Sequence, residues 1–144
     1  MSFSLFKGYT EHGARGLLEQ GEIRALSDNE ILFNEGDAPN AVFLVLSGGL
    51  DVFVERQGRP ISVNTILPGK LVGELGWLCE HPRSASVRAH EVSTLVRWKN
   101  SAFHGLMLQD FTLFRRVFAD ALGLLIEREK ALVNQVIQGQ QGGH

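Results

Sequence analysis

The sequence holds a single cysteine, Cys79, in 144 residues. A lone cysteine cannot close an internal disulfide, which suits a reducing, cytoplasmic setting. Long apolar runs are absent too: none approaches the roughly 20 residues that a membrane-spanning helix requires. The opening MSFSLFKGYTEHG has neither a long apolar stretch nor a small-residue cleavage site, so no secretory signal is expected. Basic excess is missing as well. The 14 Lys and Arg stand against 16 Asp and Glu, giving a net charge of -2. The pI is about 6.2, far from the positive footprint of a nucleic-acid binder. His12, His81, His90 and His104 are scattered. No His-x-His pair with a following glutamate supplies the ligand cluster of a metal-dependent barrel enzyme. No nucleophile stands in pattern with a base either. The expectation is therefore a chain without catalytic residues, metal ligands or cofactor.

What is present is the composition of a globular domain with a proper core, 44% hydrophobic and 21% charged. The length fits one domain over residues 1–144, with no internal repeat. Thr10 can cap a short first helix in which Ala14, Leu17 and Leu18 recur at helical spacing. From about 22 to 99 the pattern changes to short runs of valine, isoleucine, leucine and phenylalanine, broken by turn residues. Ile31-Leu32-Phe33 meets the turn Asn34-Glu35-Gly36-Asp37. Val42 to Leu46 and Leu50 to Val54 flank Ser47-Gly48-Gly49 and read as a hairpin or as strands entering opposite sheets. Ile61 to Leu67 follows Gln57-Gly58-Arg59-Pro60 and runs into Pro68-Gly69. Ser86 to Ala89 and Ser93 to Trp98 complete the set. Many short strands at regular spacing argue for a mainly β fold with flanking α, a small jelly roll or barrel.

Helical periodicity returns over about 101–138. Ser101 can cap a short helix over Phe103, Leu106 and Met107, and Asp110 a long one reaching about Gln138. Phe111, Phe114, Phe118, Ala121, Leu125 and Leu132 form one stripe, interrupted at Arg128. Such a stripe packs across the barrel, or pairs in its distal half with a second copy. The glutamine- and glycine-rich tail from Gln138 to His144 is expected to fray.

Chemistry concentrates between Gly73 and Ser86. Gly73 lets a ligand approach the backbone and precedes a short helical run, Glu74 to Leu78. The first turn of a helix offers unpaired N–H groups and partial positive charge, which favour an anion. Glu74 cannot hold that anion, but its carboxylate can accept from a sugar hydroxyl. Arg83 supplies the cation, a planar fork whose charge-assisted bonds are worth about 1.5–3 kcal/mol each. Ser84 adds a hydroxyl, and Ser84 and Ala85 add backbone N–H groups. A ribose carrying a cyclic phosphate fits this set. Singly, each residue has a plainer reading: an acidic first-turn residue, a solvated arginine after a proline turn, strand serines facing water. As a surface arginine, Arg83 is expected to be removable without loss of the fold. The conjunction in fixed order, directly after a strand and a Pro-Gly turn, outweighs these.

Gly73-Glu74-Leu75 with Pro82-Arg83-Ser84-Ala85-Ser86-Val87 closely resembles the cyclic-nucleotide-binding domain family, which includes the catabolite activator protein and the regulatory subunits of protein kinase A. The resemblance spans about Leu5 to Leu132 and takes in the Phe33-to-Asp37 turn, the Phe43-to-Gly48 strand and Pro68-Gly69. It implies a double-stranded β-helix, or β-roll, with an N-terminal helix and a long C-terminal helix. It also implies that Glu74 binds the ribose 2′-hydroxyl, Arg83 and Ser84 the cyclic phosphate, and Val72, Gly73, Leu75 and Ala85 complete the pocket. A hydroxyl directly after the arginine matches the cAMP pattern, and a threonine there is associated with cGMP. Glu127 and Arg128 are candidates to contact the base only by their depth along the last helix.

Departures qualify the likeness. Val72 replaces the common phenylalanine, Lys70 a common acidic residue, and Trp77 a common leucine. Trp77 is read as core packing, with contact to a moving helix as the alternative. Within these 144 residues no helix-turn-helix is expected after the long helix, so only ligand sensing is carried over. The output implied is a partner protein or a homodimer through the C-terminal helix, with no nucleic acid and no membrane. A nucleotide-independent interaction scaffold is the competing reading, disfavoured by the intact Glu74 and Arg83.

Overall fold

The computed structural model describes residues 3–142. A 3-10 turn at Ser4–Phe6 leads to helix α1, Glu11–Glu19. Thr10 caps α1 as expected, its hydroxyl oxygen accepting the Gly13 N–H at 3.0 Å. Eight strands follow: β1 (Glu22–Leu26), β2 (Ile31–Phe33), β3 (Ala41–Ser47), β4 (Leu50–Arg56), β5 (Arg59–Ile66), β6 (Leu71–Val72), β7 (Ser86–Ala89) and β8 (Ser93–Lys99). Helix α2, Glu74–Cys79, interrupts them between β6 and β7, and α3 (Asn100–Gln109) and α4 (Phe111–Gly142) close the chain.

The strands form two antiparallel four-stranded sheets, ordered β1-β8-β3-β6 and β2-β7-β4-β5. Consecutive β3 and β4 therefore enter opposite sheets. Gly48 makes this crossing with φ +86°, and a Cβ there would stand 2.2 Å from Ser93 Oγ. The alternation along β3 explains its unbroken apolar run. Phe43 and Val45 point between the sheets with Leu50, Val72, Val87 and Leu95. Val42 and Leu44 point the other way, against Ala14, Phe103, Leu106, Leu113 and Val117 of the helices. A strand buried on both faces reads as continuous hydrophobicity rather than as period two.

Three helical details depart from the sequence pattern. No side chain caps α3, which is preceded by Lys99; Ser101 lies inside the helix. Instead Asn100 Nδ2 donates to the Pro39 carbonyl at 2.7 Å, a tertiary tie that no local pattern encodes. Helix α4 continues to Gly142, past the expected end near Gln138. The residues of α4 buried on the domain are Leu113, Val117 and Ala121, whereas Phe111 is 72% exposed. Of the expected stripe, Ala121 is buried and Phe114 packs on the core, while Phe111 is left out and Leu113 and Val117 are added. Beyond Ala121, among the described residues, Leu125, Ile126, Leu132, Val133, Val136 and Ile137 are exposed.

Asp110 does cap α4, accepting the Leu113 N–H at 3.0 Å. Its other carboxylate oxygen accepts the Tyr9 hydroxyl, and Arg116 Nη1 donates to the Leu5 carbonyl at 2.8 Å. The N-terminal segment is thereby fastened to the first turns of α4. Burial, then the bond to Asp110, pushes the Tyr9 phenol from 10.0 up to about 12. The fold favours the protonated phenol, so this stabilisation is complete below pH 10 and is lost as pH rises through about 12. Because Tyr9 is the sole tyrosine, absorbance of tyrosinate reads it directly. Native protein should titrate near pH 12, and urea-unfolded protein about two units lower; equal midpoints would contradict the clasp.

Candidate functional site

Strand β6 delivers the chain to Gly73 beside the centre of β3, with Val72 opposite Phe43 and Leu71 opposite Leu44. Gly73 takes φ +86°, a left-handed turn that starts α2. A Cβ there would lie 2.4 Å from Arg83 Nη1 and 3.2 Å from the Ala41 carbonyl. Gly76, one turn on, is also confined, with Pro39 Cβ at 2.9 Å and Arg83 Nη1 at 3.2 Å from an added Cβ. Two glycines three apart let an arginine side chain lie flat along the short helix.

That arginine is Arg83, and it is buried, only 5% exposed. The expectation of a surface-accessible side chain is corrected here. Its main chain is clamped by the turn after β2: Arg83 N donates to the Asp37 carbonyl, and the Arg83 carbonyl accepts the Gly36 N–H, both at 2.8 Å. Nη2 donates to the Ala41 carbonyl at 2.8 Å and Nη1 more weakly to the Gly73 carbonyl at 3.4 Å. The Phe33 ring lies against the guanidinium, 4.1 Å from Cζ to centroid. Nε is buried and makes no hydrogen bond with the protein. Burial lowers the Arg83 pKa from its ordinary value, and the charges of Asp37 and Glu74 oppose that shift.

Glu74 is also buried, at 2% exposure. It stands in the first turn of α2, and its charge acts on Arg83. With Trp77 and Leu78 it faces Phe114, Val117, Phe118 and Ala121 of α4 across a crevice with no room for water. Trp77 meets Phe103 of α3 edge to face at 5.0 Å, so it belongs to the helical core and joins α2 to α3.

Of the expected site residues, the fold gathers Gly73, Glu74 and Arg83. Val72 is buried between the sheets, Leu75 and Ala85 are half-buried, and Ser84 is exposed. Ser86, for which a strand serine facing water was the plainer alternative, is buried, and its Oγ accepts the Glu35 N–H at 2.8 Å. Glu127 is exposed, and the Arg128 side chain lies outside the described residues. Sequence patterns gave no sign of Ala41, whose contribution is a carbonyl. Phe33 and Asp37 sat in a turn that read as scaffold, yet both face a cleft of about 320 Å3 shared with Leu32, Ala38, Asn40 and Phe43. Among the described residues no group of three or more His, Cys, Asp and Glu could hold a metal ion, and no helix is long and apolar enough to cross a membrane.

The burial of Arg83 makes it a stabilising residue as well as a candidate ligand. Arg83→Ala should destabilise the domain by about 1–3 kcal/mol, because the Ala41 and Gly73 carbonyls lose their donors. Urea denaturation checks this, and an unchanged midpoint would contradict the clamped geometry.

Comparison with known proteins places the family and the fold. The family model for the cyclic nucleotide-binding domain matches residues 23–110, more than half of the chain. The potassium channel KAT3 of Oryza sativa subsp. japonica is 26% identical over 106 residues, 74% of this chain but 21% of the channel. The chain thus spans only a small part of its curated relatives' length. Among solved structures, the Thermus thermophilus catabolite activator protein is similar with a TM-score of 0.78 and 25% identity, covering 92% of this chain and 62% of that one. The EAL enzyme Bd1971 in its cAMP-bound form is similar with a TM-score of 0.57 and 25% identity, covering 84% and 33%. The chain belongs to the cyclic nucleotide-binding domain family.

Proposed function

We propose that the chain is a cytoplasmic, non-catalytic receptor for a cyclic nucleotide, cAMP in preference to cGMP. The observation that carries this reading is Arg83: a buried guanidinium beside Gly73 and Glu74 whose Nε–H has no protein acceptor. A buried charged donor without a partner is costly, and a phosphate oxygen relieves that cost. In this reading Arg83 and Ser84 hold the cyclic phosphate, and Glu74 accepts the ribose 2′-hydroxyl. Val72, Gly73, Leu75 and Ala85 supply packing and main-chain contacts. The preference for cAMP rests on the Ser84 hydroxyl following the arginine.

The same contacts suggest how binding is transmitted. Arg83 ties the α2 segment to β3 through Gly73 and Ala41, and α2 rests on α4 through Trp77 and Leu78. Nε is buried, so a phosphate reaches it only if a segment packed around Arg83 moves, and in this reading that segment is α2. Ligand then favours whichever packing of α4 accommodates that shift, by its differential affinity for the two. The exposed apolar face of distal α4 is the surface that passes the change to a second copy of the chain.

Calorimetric titration tests the receptor reading. One cAMP should bind per chain, more tightly than cGMP and far more tightly than 5′-AMP. Arg83→Lys should weaken binding at least about tenfold, since an ammonium lacks the planar fork, and Glu74→Gln by less. No heat with any cyclic nucleotide, after checking for co-purified ligand, would leave a family scaffold used for protein contacts.

Light scattering tests the dimer. The particle should have twice the 15.9 kDa chain mass, and Leu132→Glu with Val136→Glu should return it to the monomer. A monomeric parent at high micromolar concentration would contradict it.

A further inference from the structure

Phe33 ends β2, and its ring lies 4.1 Å from Arg83 Cζ. The ring is braced from behind by Phe43, at 6.2 Å between centroids. Phe43 pairs in register with Val72, the residue before Gly73, and the Gly73 carbonyl receives Arg83 Nη1. The contacts therefore close a circuit that runs from Arg83 through Phe33, Phe43 and Val72 to Gly73 and back to Arg83. The turn that Phe33 opens also clamps the Arg83 main chain, through Gly36 and Asp37.

Within that circuit the polar bonds leave one freedom. The bond to Ala41 is short, at 2.8 Å. The bond to Gly73 is 3.4 Å, at the weak end of hydrogen-bonding distance, and does little to fix the plane of the guanidinium. A ring against one side does fix it, because a guanidinium is attracted over the face of an aromatic ring. With that plane held, the Nε–H edge keeps its separation from protein acceptors. Asp37, the nearby carboxylate in charge contact with Arg83, is itself engaged, its Oδ2 accepting the Asn34 N–H at 2.9 Å.

We propose that Phe33 is the positioning residue for anion recognition: its ring holds the Arg83 guanidinium in the plane that presents Nε–H to the ligand phosphate. This rests on Arg83 being the phosphate ligand and adds a residue whose effect is aromatic rather than steric. Phe33 touches the guanidinium and acts through it.

Cyclic-nucleotide titration of the full chain separates the two effects. Phe33→Leu and Phe33→Met keep apolar bulk without a ring, and each should bind cAMP roughly tenfold more weakly, the scale of a desolvated cation–π contact. Phe33→Tyr keeps the ring and should bind within about twofold of the parent. Thermal melting of the three variants supplies the packing control, and their affinities should not follow their melting temperatures. If Leu and Met bind as the parent does, or if Tyr binds as weakly as Leu, the assignment of Phe33 is overturned while the receptor reading stands. A parent that binds no cyclic nucleotide overturns both.

Discussion

Taking a guanidinium out of water costs several kcal/mol unless its N–H groups find acceptors. Arg83 finds them in the main chain, in the carbonyls of Ala41 on β3 and Gly73 at the start of α2. Those two oxygens come from segments far apart in sequence, so the arginine fixes where the short helix lies on the sheet. Much else follows from its presence. Gly73 must lack a side chain because Arg83 Nη1 occupies that space, and Gly76 is confined by Pro39 as well as by Nη1. The turn after β2 must reach over to bond the Arg83 main chain on both sides. Arg83 is thus the structural centre of this half of the barrel.

From that centre two routes lead outward. One runs through α2 to the helices: Trp77 meets Phe103, Phe103 meets Trp98 at 5.9 Å, and Trp98 Nε1 donates to the Leu17 carbonyl of α1 at 3.0 Å. The other passes across the crevice from Glu74 and Leu78 to Phe114, Phe118 and Ala121 of α4. The first turns of α4 are in turn fastened to the N-terminal segment by Tyr9, Asp110 and Arg116. In the proposed receptor reading, a change at Arg83 meets packed side chains on both routes, and packed cores shift between discrete arrangements rather than yielding gradually.

What the sequence disclosed and what it hid divide along one physical line. Caps made by a side chain to a neighbouring amide, Thr10 and Asp110, were legible because both partners lie within one turn of helix. Gly73, Glu74 and Arg83 were legible because their spacing joins three residue types that a cyclic phosphate and a ribose require together. The two-sheet barrel was legible from its short strands and turn residues, though only the structure assigns β3 and β4 to different sheets. Contacts made by main-chain oxygens were not legible. Ala41 and Pro39 offer carbonyls, which every residue has, so neither the burial of Arg83 nor the tie that replaces a Ser101 cap could be read. The register of α4 was missed for a related reason. Its apolar residues are numerous enough to draw several stripes, and only tertiary packing selects Leu113, Val117 and Ala121 over Phe111.

The proposed receptor function depends on one group, the Arg83 Nε–H, which is buried and has no protein acceptor. Side-chain NMR of 15N-arginine-labelled protein observes that group directly, with the resonance assigned by its loss in Arg83→Lys. A receptor of this kind gives a distinct Arg83 Nε–H signal in the free protein that shifts on adding cAMP and saturates at one ligand per chain. A signal that stays unmoved while cAMP binds would contradict it, because the phosphate would then be held elsewhere.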